Sequence, residues 1–189
     1  MLYLAGRNLI RKYNMKIYTK FLLVSLLTLC TFKAYAEELT HVDLMSKALN
    51  STVLVRVEKD NMVTGHGSGV IISEDGNILT NYHVVHNADK IRVWLHKDRR
   101  RRYHTATVIG IDPVADLALI DIDPWPEEEF SYVNLEYDTD KIISGTEVYA
   151  VGAPLSLNWS VTKGIINSIN RQSFLTPYVY LIQHDAVIQ

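Results

Sequence analysis

Six short apolar segments follow one another between residues 52 and 123, and each is rich in β-branched residues. Gly, Asn and Asp separate the segments and leave room for little more than turns. Many short strands at such close spacing are typical of a small antiparallel barrel. The predicted strands are 52–59, 67–73, 77–80, 91–96, 103–110 and 117–123. The pattern predicts an all-β fold with a first, complete barrel over 51–123.

The segments on either side of this predicted barrel have different patterns. Apolar residues at helical spacing predict a helical lead-in over 37–50. The stretch "DPWPEEEF", with two Pro and three Glu, predicts a linker over 124–145. Three more strands are predicted beyond it, at 146–154, 159–169 and 179–186. Three strands are too few to close a barrel, so the second barrel, over 146–189, is predicted to be incomplete.

Residues 1–36 have the pattern of a secretory signal peptide. A short basic region precedes the apolar run at 21–30, and the small-x-small sequence "AYA" follows at 34–36. We expect cleavage after Ala36 and a true start at Met15. A membrane span needs about 20 apolar residues, and this run is about half as long, so no stable span is expected after signal removal.

Charge and cysteine usage narrow the classes of function. The 189 residues contain 19 basic and 21 acidic residues, and removal of the six basic residues in 1–36 would leave 13 against 21. This acidic balance argues against general nucleic-acid binding, which needs a basic surface. The basic stretch "HKDRRRRYH", at 96–104, is predicted to be a solvated hairpin with its charges in water. Cys30, the only cysteine, lies in the signal, so no disulfide is expected.

Two segments place a titratable residue beside an apolar strand. In "ILTNYHVV" a strand leads into His83, and in "DPVADLALIDI" Asp116 directly precedes the apolar run 117–120. A partly desolvated carboxylate can fix the tautomer of a nearby imidazole and stabilise the imidazolium that forms in catalysis. The pair is therefore predicted to be the base and the orienting residue of a nucleophilic hydrolase.

Other interpretations of these residues stay open on the pattern alone. His83 could be a structural histidine that closes a turn, and Asp116 could cap the start of a strand. His83 and His86 are three residues apart and could share a metal on a helix, but a zinc site needs a third protein ligand, and the nearby sequence offers no obvious one.

Four motifs, in this order, resemble those of the HtrA (DegP-like) trypsin-fold serine proteases, and the resemblance runs from about Ser51 to Gln189. The motifs are "GSGVIISEDGNILTNYHVV", "DPVADLALIDI", "GTEVYAVGAPLSLNWSVTKGIINSI" and "LIQHDAVIQ". The resemblance implies a chymotrypsin/trypsin-like double β-barrel with the active site between the barrels. It implies that His83 is the general base and that Asp116 orients it, and it implies no metal and no organic cofactor.

The nucleophilic serine of that family has no match in these 189 residues. In the family, a segment like "IQHDAVIQ" is followed within a few residues by Pro-Gly-Asn-Ser-Gly-Gly-Pro, which supplies the nucleophile and the oxyanion hole. We therefore expect the nucleophile to lie beyond Gln189 and this chain to be a truncated, inactive fragment. Ser68, in "HGSGV", is the nearest imitation of the motif, but it matches a first-barrel strand of the family.

The resemblance implies a periplasmic or secreted serine endopeptidase that cleaves unfolded or damaged exported proteins. Its expected partners are polypeptide substrates, with no nucleic acid, and a homo-oligomer, a trimer, is implied. Two rival functions stay open. One is a non-catalytic protein that binds peptides, in which His83 and Asp116 are relics, and the other is a metal-dependent hydrolase that uses His83 and His86.

Overall fold

The computed structural model describes residues 41–98, 102–153, 159–172 and 179–188. Every strand described below lies in the compact unit Met45–Gln189. The predicted signal peptide, 1–36, lies outside the described residues. Within the described part of the chain, no helix combines the length and the apolar character that a membrane crossing requires.

Six antiparallel strands close into a barrel in the order β1-β2-β3-β6-β5-β4. The strands are β1 (Thr52–Lys59), β2 (Met62–Ile71), β3 (Asn77–Thr80), β4 (Lys90–Leu95), β5 (His104–Asp112) and β6 (Leu117–Ile122). Residues 41–51 form helix α1, a one-turn helix α2 (Tyr82–Val85) follows β3, and a 3-10 turn (His96–Asp98) follows β4.

A second, three-stranded sheet has the order β7-β8-β9. Its strands are β7 (Glu147–Gly152), β8 (Ser160–Gln172) and β9 (Tyr180–His184). Between β6 and β7, the regular structure is limited to a 3-10 turn (Thr139–Lys141). The all-β fold with a closed first barrel that the sequence predicts is therefore confirmed. The domain boundaries at 51, 124 and 146 stay predictions.

The core of the barrel comes from the alternation of side chains along its strands. Val53, Val55 and Val57 of β1 point inward and are at most 5% exposed, and they pack with Ile78 and Ile120, which are fully buried. Burying each such side chain stabilises the fold by about 1.5 to 3 kcal/mol. The inward face of the barrel is thus the main source of its stability.

Strand β1 is also covered on its outer face by residues that flank the second sheet. Leu54 and Trp94 pack there against Ala153, with Trp159 at the edge of the cluster. Two hydrogen bonds join the same parts, because the Trp159 indole donates to the Thr52 carbonyl at 2.8 Å and the Ala153 amide donates to Ser68 Oγ at 2.8 Å. The second sheet therefore lies against β1 and β2.

The structure corrects the predicted start of β2. The sequence predicts this strand from residue 67, but it begins at Met62. Asp60 and Asn61 have φ angles of 51° and 62°, and they form a two-residue hairpin turn that pairs Lys59 with Met62. Because Asp and Asn tolerate the left-handed conformation, the hairpin needs no glycine.

The basic stretch at 96–104 was predicted to have its charges in water. Among its described residues this holds for Lys97 and Arg102, which are exposed, but not for Asp98 and His104. The side chains of Asp98 and His104 are only 9% and 2% exposed. Asp98 pairs with Arg102 at 2.9 Å, and the ring of His104 stacks on Trp125. Ion pairing and stacking offset the cost of burying these polar groups. Residues 99–101 lie outside the described ranges.

Gly69 provides a test of how tightly the barrel packs. A Cβ atom there would lie 2.6 Å from Ile78 Cγ2 and 3.1 Å from Val53 Cγ2. We expect Gly69→Ala to lower the free energy of unfolding by about 1 to 3 kcal/mol, measured by urea denaturation. Gly110→Ala is the matched control, since the nearest atom would be Leu119 Cβ at 3.7 Å. An equal loss in both variants would contradict the packing argument.

Candidate active site

The pairing of β3 with β6 brings the two predicted site segments together. Thr80, at the end of β3, pairs with Ala118 of β6. One step beyond this pair, the Tyr82 amide donates to the Asp116 carbonyl at 3.2 Å. The residues that follow β3 and the residue that precedes β6 therefore lie side by side.

His83 lies in α2, a single turn that the backbone closes by itself. The His86 amide donates to the Tyr82 carbonyl at 2.9 Å. Asn81 occupies the N-cap position with extended dihedrals, φ −81° and ψ 144°, and its side chain does not cap the helix. That side chain is instead available to Asp116.

Asp116 receives hydrogen bonds from His83, in α2, and from Asn81, the residue before α2. Its Oδ1 accepts from the His83 amide at 2.9 Å, and its Oδ2 lies 2.7 Å from His83 Nδ1. The Asn81 amide nitrogen donates to Asp116 Oδ2 at 3.2 Å and to the Asp116 carbonyl at 3.0 Å. Asp116 has a φ of 56°, a left-handed conformation that Asp adopts more readily than most residues.

These contacts fix the charge of the carboxylate and the tautomer of the ring. Burial raises the pKa of Asp116, but the hydrogen bonds from the His83 amide and ring, the attraction to His83 and the bond from Asn81 outweigh it, so the pKa lies below its usual value of 3.8. An ionised carboxylate only accepts hydrogen bonds. Nδ1 of His83 must therefore carry the proton, which leaves the lone pair of the neutral ring on Nε2.

His83 opens onto a cavity between the barrel and the second sheet. The side chain of His83 is 71% exposed, whereas that of Asp116 is 32% exposed. The cavity has a volume of about 460 Å³, and its lining includes Ser68 of β2, Val151 of β7 and Thr162 of β8. A ring whose inner nitrogen is fixed and whose side chain is open to a cavity can exchange a proton with a bound molecule.

Ser68 and His86, two other residues considered from the sequence, have different partners from the His83–Asp116 pair. Ser68 lines the same cavity, but its Oγ accepts the Ala153 amide at 2.8 Å and so holds the second sheet to the barrel. His86 uses its Nδ1 to pair with the Tyr82 hydroxyl at 2.7 Å, whereas the Nδ1 of His83 faces Asp116.

Sequence reasoning missed the role of Asn81. Its amide group is the second side chain that holds the Asp116 carboxylate. The signal was its place at the end of β3, two residues before His83, where an Asn usually caps the helix that follows. A side chain expected to cap its own helix reaches across to the β5–β6 turn instead.

Comparison with known proteins supports the class of trypsin-like peptidases. Residues 67–189 match the model of the family described as trypsin-like peptidase domain. The chain therefore belongs to the family of trypsin-like peptidase domains. Its relatives are of the HtrA, or DegP-like, type, which confirms the resemblance seen in its motifs.

Three similar proteins illustrate this relationship. The chain is 40% identical over 122 residues to a "Probable periplasmic serine endoprotease DegP-like" of Marinomonas sp. (strain MWYL1), covering 65% of this chain and 24% of that protein. It is 37% identical over 123 residues to the protein of the same name in Chlamydia trachomatis serovar D, covering 65% and 23%. The solved structure "HtrA-type protease AlgW with tripeptide" matches with a TM-score of 0.66 at 35% identity, covering 76% of this chain and 45% of that one. The chain thus spans about a quarter of the length of the curated relatives.

The lowered pKa of Asp116 leads to a prediction for Asp116→Asn. The carboxylate stabilises the fold fully above the unfolded value of 3.8, and this contribution is lost as the pH falls through the lower pKa of the folded state. We expect Asp116→Asn to lower the free energy of unfolding by about 1 to 3 kcal/mol at pH 7, and by clearly less at pH 3. Urea denaturation at the two pH values measures the difference.

A control for this prediction is Asp75→Asn, which removes one exposed carboxylate. We expect it to change the free energy of unfolding by less than about 0.5 kcal/mol at either pH. Asn also tolerates a positive φ, so the substitution at 116 removes charge without straining the turn. A loss at Asp116→Asn that does not depend on pH would exclude the ionised carboxylate as its cause.

Proposed function

We propose that this chain carries the base and the orienting residue of an HtrA-type serine endopeptidase. The observation that supports the proposal is the 2.7 Å contact of His83 Nδ1 with Asp116 Oδ2, in a ring that is exposed at a cavity. Nε2 of His83 takes the proton of a serine hydroxyl as the oxygen attacks a peptide carbonyl, and it then gives the proton to the leaving amine. Asp116 keeps the ring in the required tautomer and stabilises the imidazolium.

The nucleophile of this proposed site is a serine beyond Gln189, as the family motif implies. Among the described serines, Ser68 and Ser160 line the cavity of His83. Both lie within paired strands, Ser68 opposite Leu54 and Ser160 opposite Gly152. An oxyanion hole needs backbone amides that are turned toward the substrate, and a strand ladder uses its amides for pairing. In this proposal the 189 residues by themselves do not hydrolyse peptide bonds.

The proposed substrates are unfolded or damaged exported proteins. The curated relatives are named periplasmic serine endoproteases, and the AlgW structure contains a tripeptide. By analogy with these relatives, we propose a periplasmic location, with export by the predicted signal at 1–36. We also propose polypeptide substrates and a trimeric assembly. No nucleic acid is proposed as a partner, in keeping with the formal net charge of −2.

A second candidate function is peptide binding without cleavage. Val187 and Ile188 line the same cavity and are 61% and 77% exposed. An open cavity with apolar residues at its edge can hold an extended peptide whether or not a nucleophile is present. In this alternative, His83 and Asp116 contribute to the shape of the cavity rather than to chemistry.

The claim that the nucleophile lies outside the 189 residues is tested with a fluorophosphonate probe. We expect no covalent labelling of the purified chain, because the described serines that line the cavity of His83, Ser68 and Ser160, lie in paired strands without an oxyanion hole. Labelling of any serine, located by peptide mass spectrometry, would overturn this claim. The codons that follow Gln189 give an independent test, since Pro-Gly-Asn-Ser-Gly-Gly is expected there.

The roles of His83 and Asp116 are tested in the complete gene product with an unfolded casein as substrate. We expect His83→Ala to lower kcat/KM by about 10⁵ to 10⁶ and Asp116→Asn by about 10⁴, by analogy with other serine proteases. His86→Ala, three residues from His83, is the matched control and should retain activity within a few-fold. If all three variants cleave casein as fast as the wild type, the assignment of base and orienting residue is wrong. If the wild-type gene product binds casein without cleaving it, peptide binding alone becomes the better proposal.

A further inference from the structure

A second group of titratable side chains lies buried at the other end of β5. His104 is the first residue of β5, Asp98 ends the 3-10 turn after β4, and Glu128 lies in the connection after β6. Their side chains are 2%, 9% and 6% exposed, and one ligand atom from each lies within 4.8 Å of the other two. Asp116 lies beyond the last residue of β5, roughly 25 Å away along a strand of this length. The group is therefore separate from the proposed active site.

Backbone contacts determine which nitrogen of His104 faces the carboxylates. Nδ1 lies 3.0 Å from the Asp123 carbonyl. A carbonyl oxygen can only accept, so Nδ1 carries a proton and donates it. Nε2 is the remaining nitrogen, and it lies 3.2 Å from Glu128 Oε2 without forming a hydrogen bond. In a neutral ring this arrangement sets a lone pair against a carboxylate oxygen.

The carboxylates of Asp98 and Glu128 each form an ion pair with a neighbouring basic side chain. Lys97 contacts Oε1 of Glu128 at 3.1 Å, and Arg102 contacts Oδ1 of Asp98 at 2.9 Å. Glu128 Oε2 accepts the Trp125 amide at 3.2 Å and still faces His104, while Asp98 Oδ2 is buried with no hydrogen-bond partner. Each acid thus pairs with a cationic side chain through one oxygen, and one carboxylate oxygen of each lies within 4.8 Å of a ring nitrogen of His104. This is how groups behind a metal site orient its ligands.

We propose that Asp98, His104 and Glu128 bind a divalent cation of the zinc class. One imidazole nitrogen and two carboxylate oxygens form a suitable ligand set, with a fourth position for water. Ligand atoms of a tetrahedral zinc ion are about 3.4 Å apart, from metal–ligand distances of about 2.1 Å, and the His104 Nε2 to Glu128 Oε2 distance is 3.2 Å.

The main rival is an imidazolium at His104 with no metal. A proton on Nε2 of His104 could be donated to Glu128 Oε2, but it would leave Asp98 Oδ2 buried and without a hydrogen-bond partner. A cation among the three atoms satisfies both orphaned groups at once. The nearby cations do not remove this need, because the side chains of Lys97 and Arg102 are 42% and 60% exposed. Water screens their charges more than it screens the buried carboxylates.

The consequence of binding would be structural. The three ligands come from separate parts of the chain, after β4, at the start of β5 and after β6. Metal binding in the folded state alone stabilises that state by mass action. The cation would fasten the connection that leads from the barrel to the second sheet.

The test compares Glu128→Gln with Glu129→Gln in the purified protein. Glu129 is the adjacent residue and is exposed, so both variants remove one negative charge from the same segment. After dialysis against low micromolar zinc, we expect about one zinc ion per chain in the wild type and in Glu129→Gln. Glu128→Gln should weaken zinc affinity by about 100-fold or more, measured by competition with a chromogenic chelator.

Cobalt substitution in the wild type provides a readout that does not require a folded variant. We expect Co²⁺ to bind and to give the strong visible absorption of a four-coordinate site with nitrogen and oxygen ligands. Zinc should raise Tm for the wild type and for Glu129→Gln, with a smaller rise for Glu128→Gln. The proposal is wrong if the wild type binds no zinc at this concentration, or if the two variants lose zinc equally. A His104 ring that NMR shows doubly protonated at Glu128 in the presence of zinc would establish the imidazolium instead.

Discussion

The pairing of β3 with β6 is the constraint on which the rest of the molecule depends. It closes the barrel, and its register places Thr80 opposite Ala118. Ile78 and Ile120, also opposite each other, are fully buried in the core. A slip of one residue would turn the side chains of β3 to the opposite face. It would also move Asp116 away from the His83 ring, so one register determines both the core and the geometry of the candidate site.

The turn between β5 and β6 is arranged locally before it meets α2. Asp112 Oδ1 accepts the amides of Val114 and Ala115, each at 3.0 Å, which folds the chain back after β5. The chain then passes through the left-handed Asp116 and enters β6. These hydrogen bonds within the turn hold the backbone of Asp116 in place before it meets α2. The four hydrogen bonds from His83 and Asn81 therefore form at a small cost in conformational entropy.

The sequence predicts the features that depend on residue pattern and misses those that depend on contacts across the fold. Short segments rich in β-branched residues, separated by Gly, Asn and Asp, located all six barrel strands, because β-branched side chains pack well in a sheet and the separating residues favour turns. The early start of β2 was missed because Asp60 and Asn61 form a tight turn without glycine. The partnership of His83 with Asp116 came from the motifs, and their atoms lie 2.7 Å apart, while their catalytic roles stay predictions. The group of Asp98, His104 and Glu128 has no sequence signature. Asp98 and His104 flank a run of arginines that is typical of a solvated loop, and Glu128 lies 24 residues beyond His104.

The contrast between His83 and His104 shows how the surroundings of an imidazole decide its chemistry. In both rings Nδ1 is held by an oxygen, a carboxylate for His83 and a backbone carbonyl for His104. The carboxylate stabilises a positive ring, and the exposed side chain of His83 can reach a bound molecule, so this arrangement favours proton transfer. A carbonyl holds the ring of His104 without neutralising a charge on it, and Nε2 is buried without a hydrogen-bond partner, 3.2 Å from Glu128 Oε2, where the proposed cation would bind. The same side chain is therefore suited to act as a base at one end of β5 and as a ligand at the other.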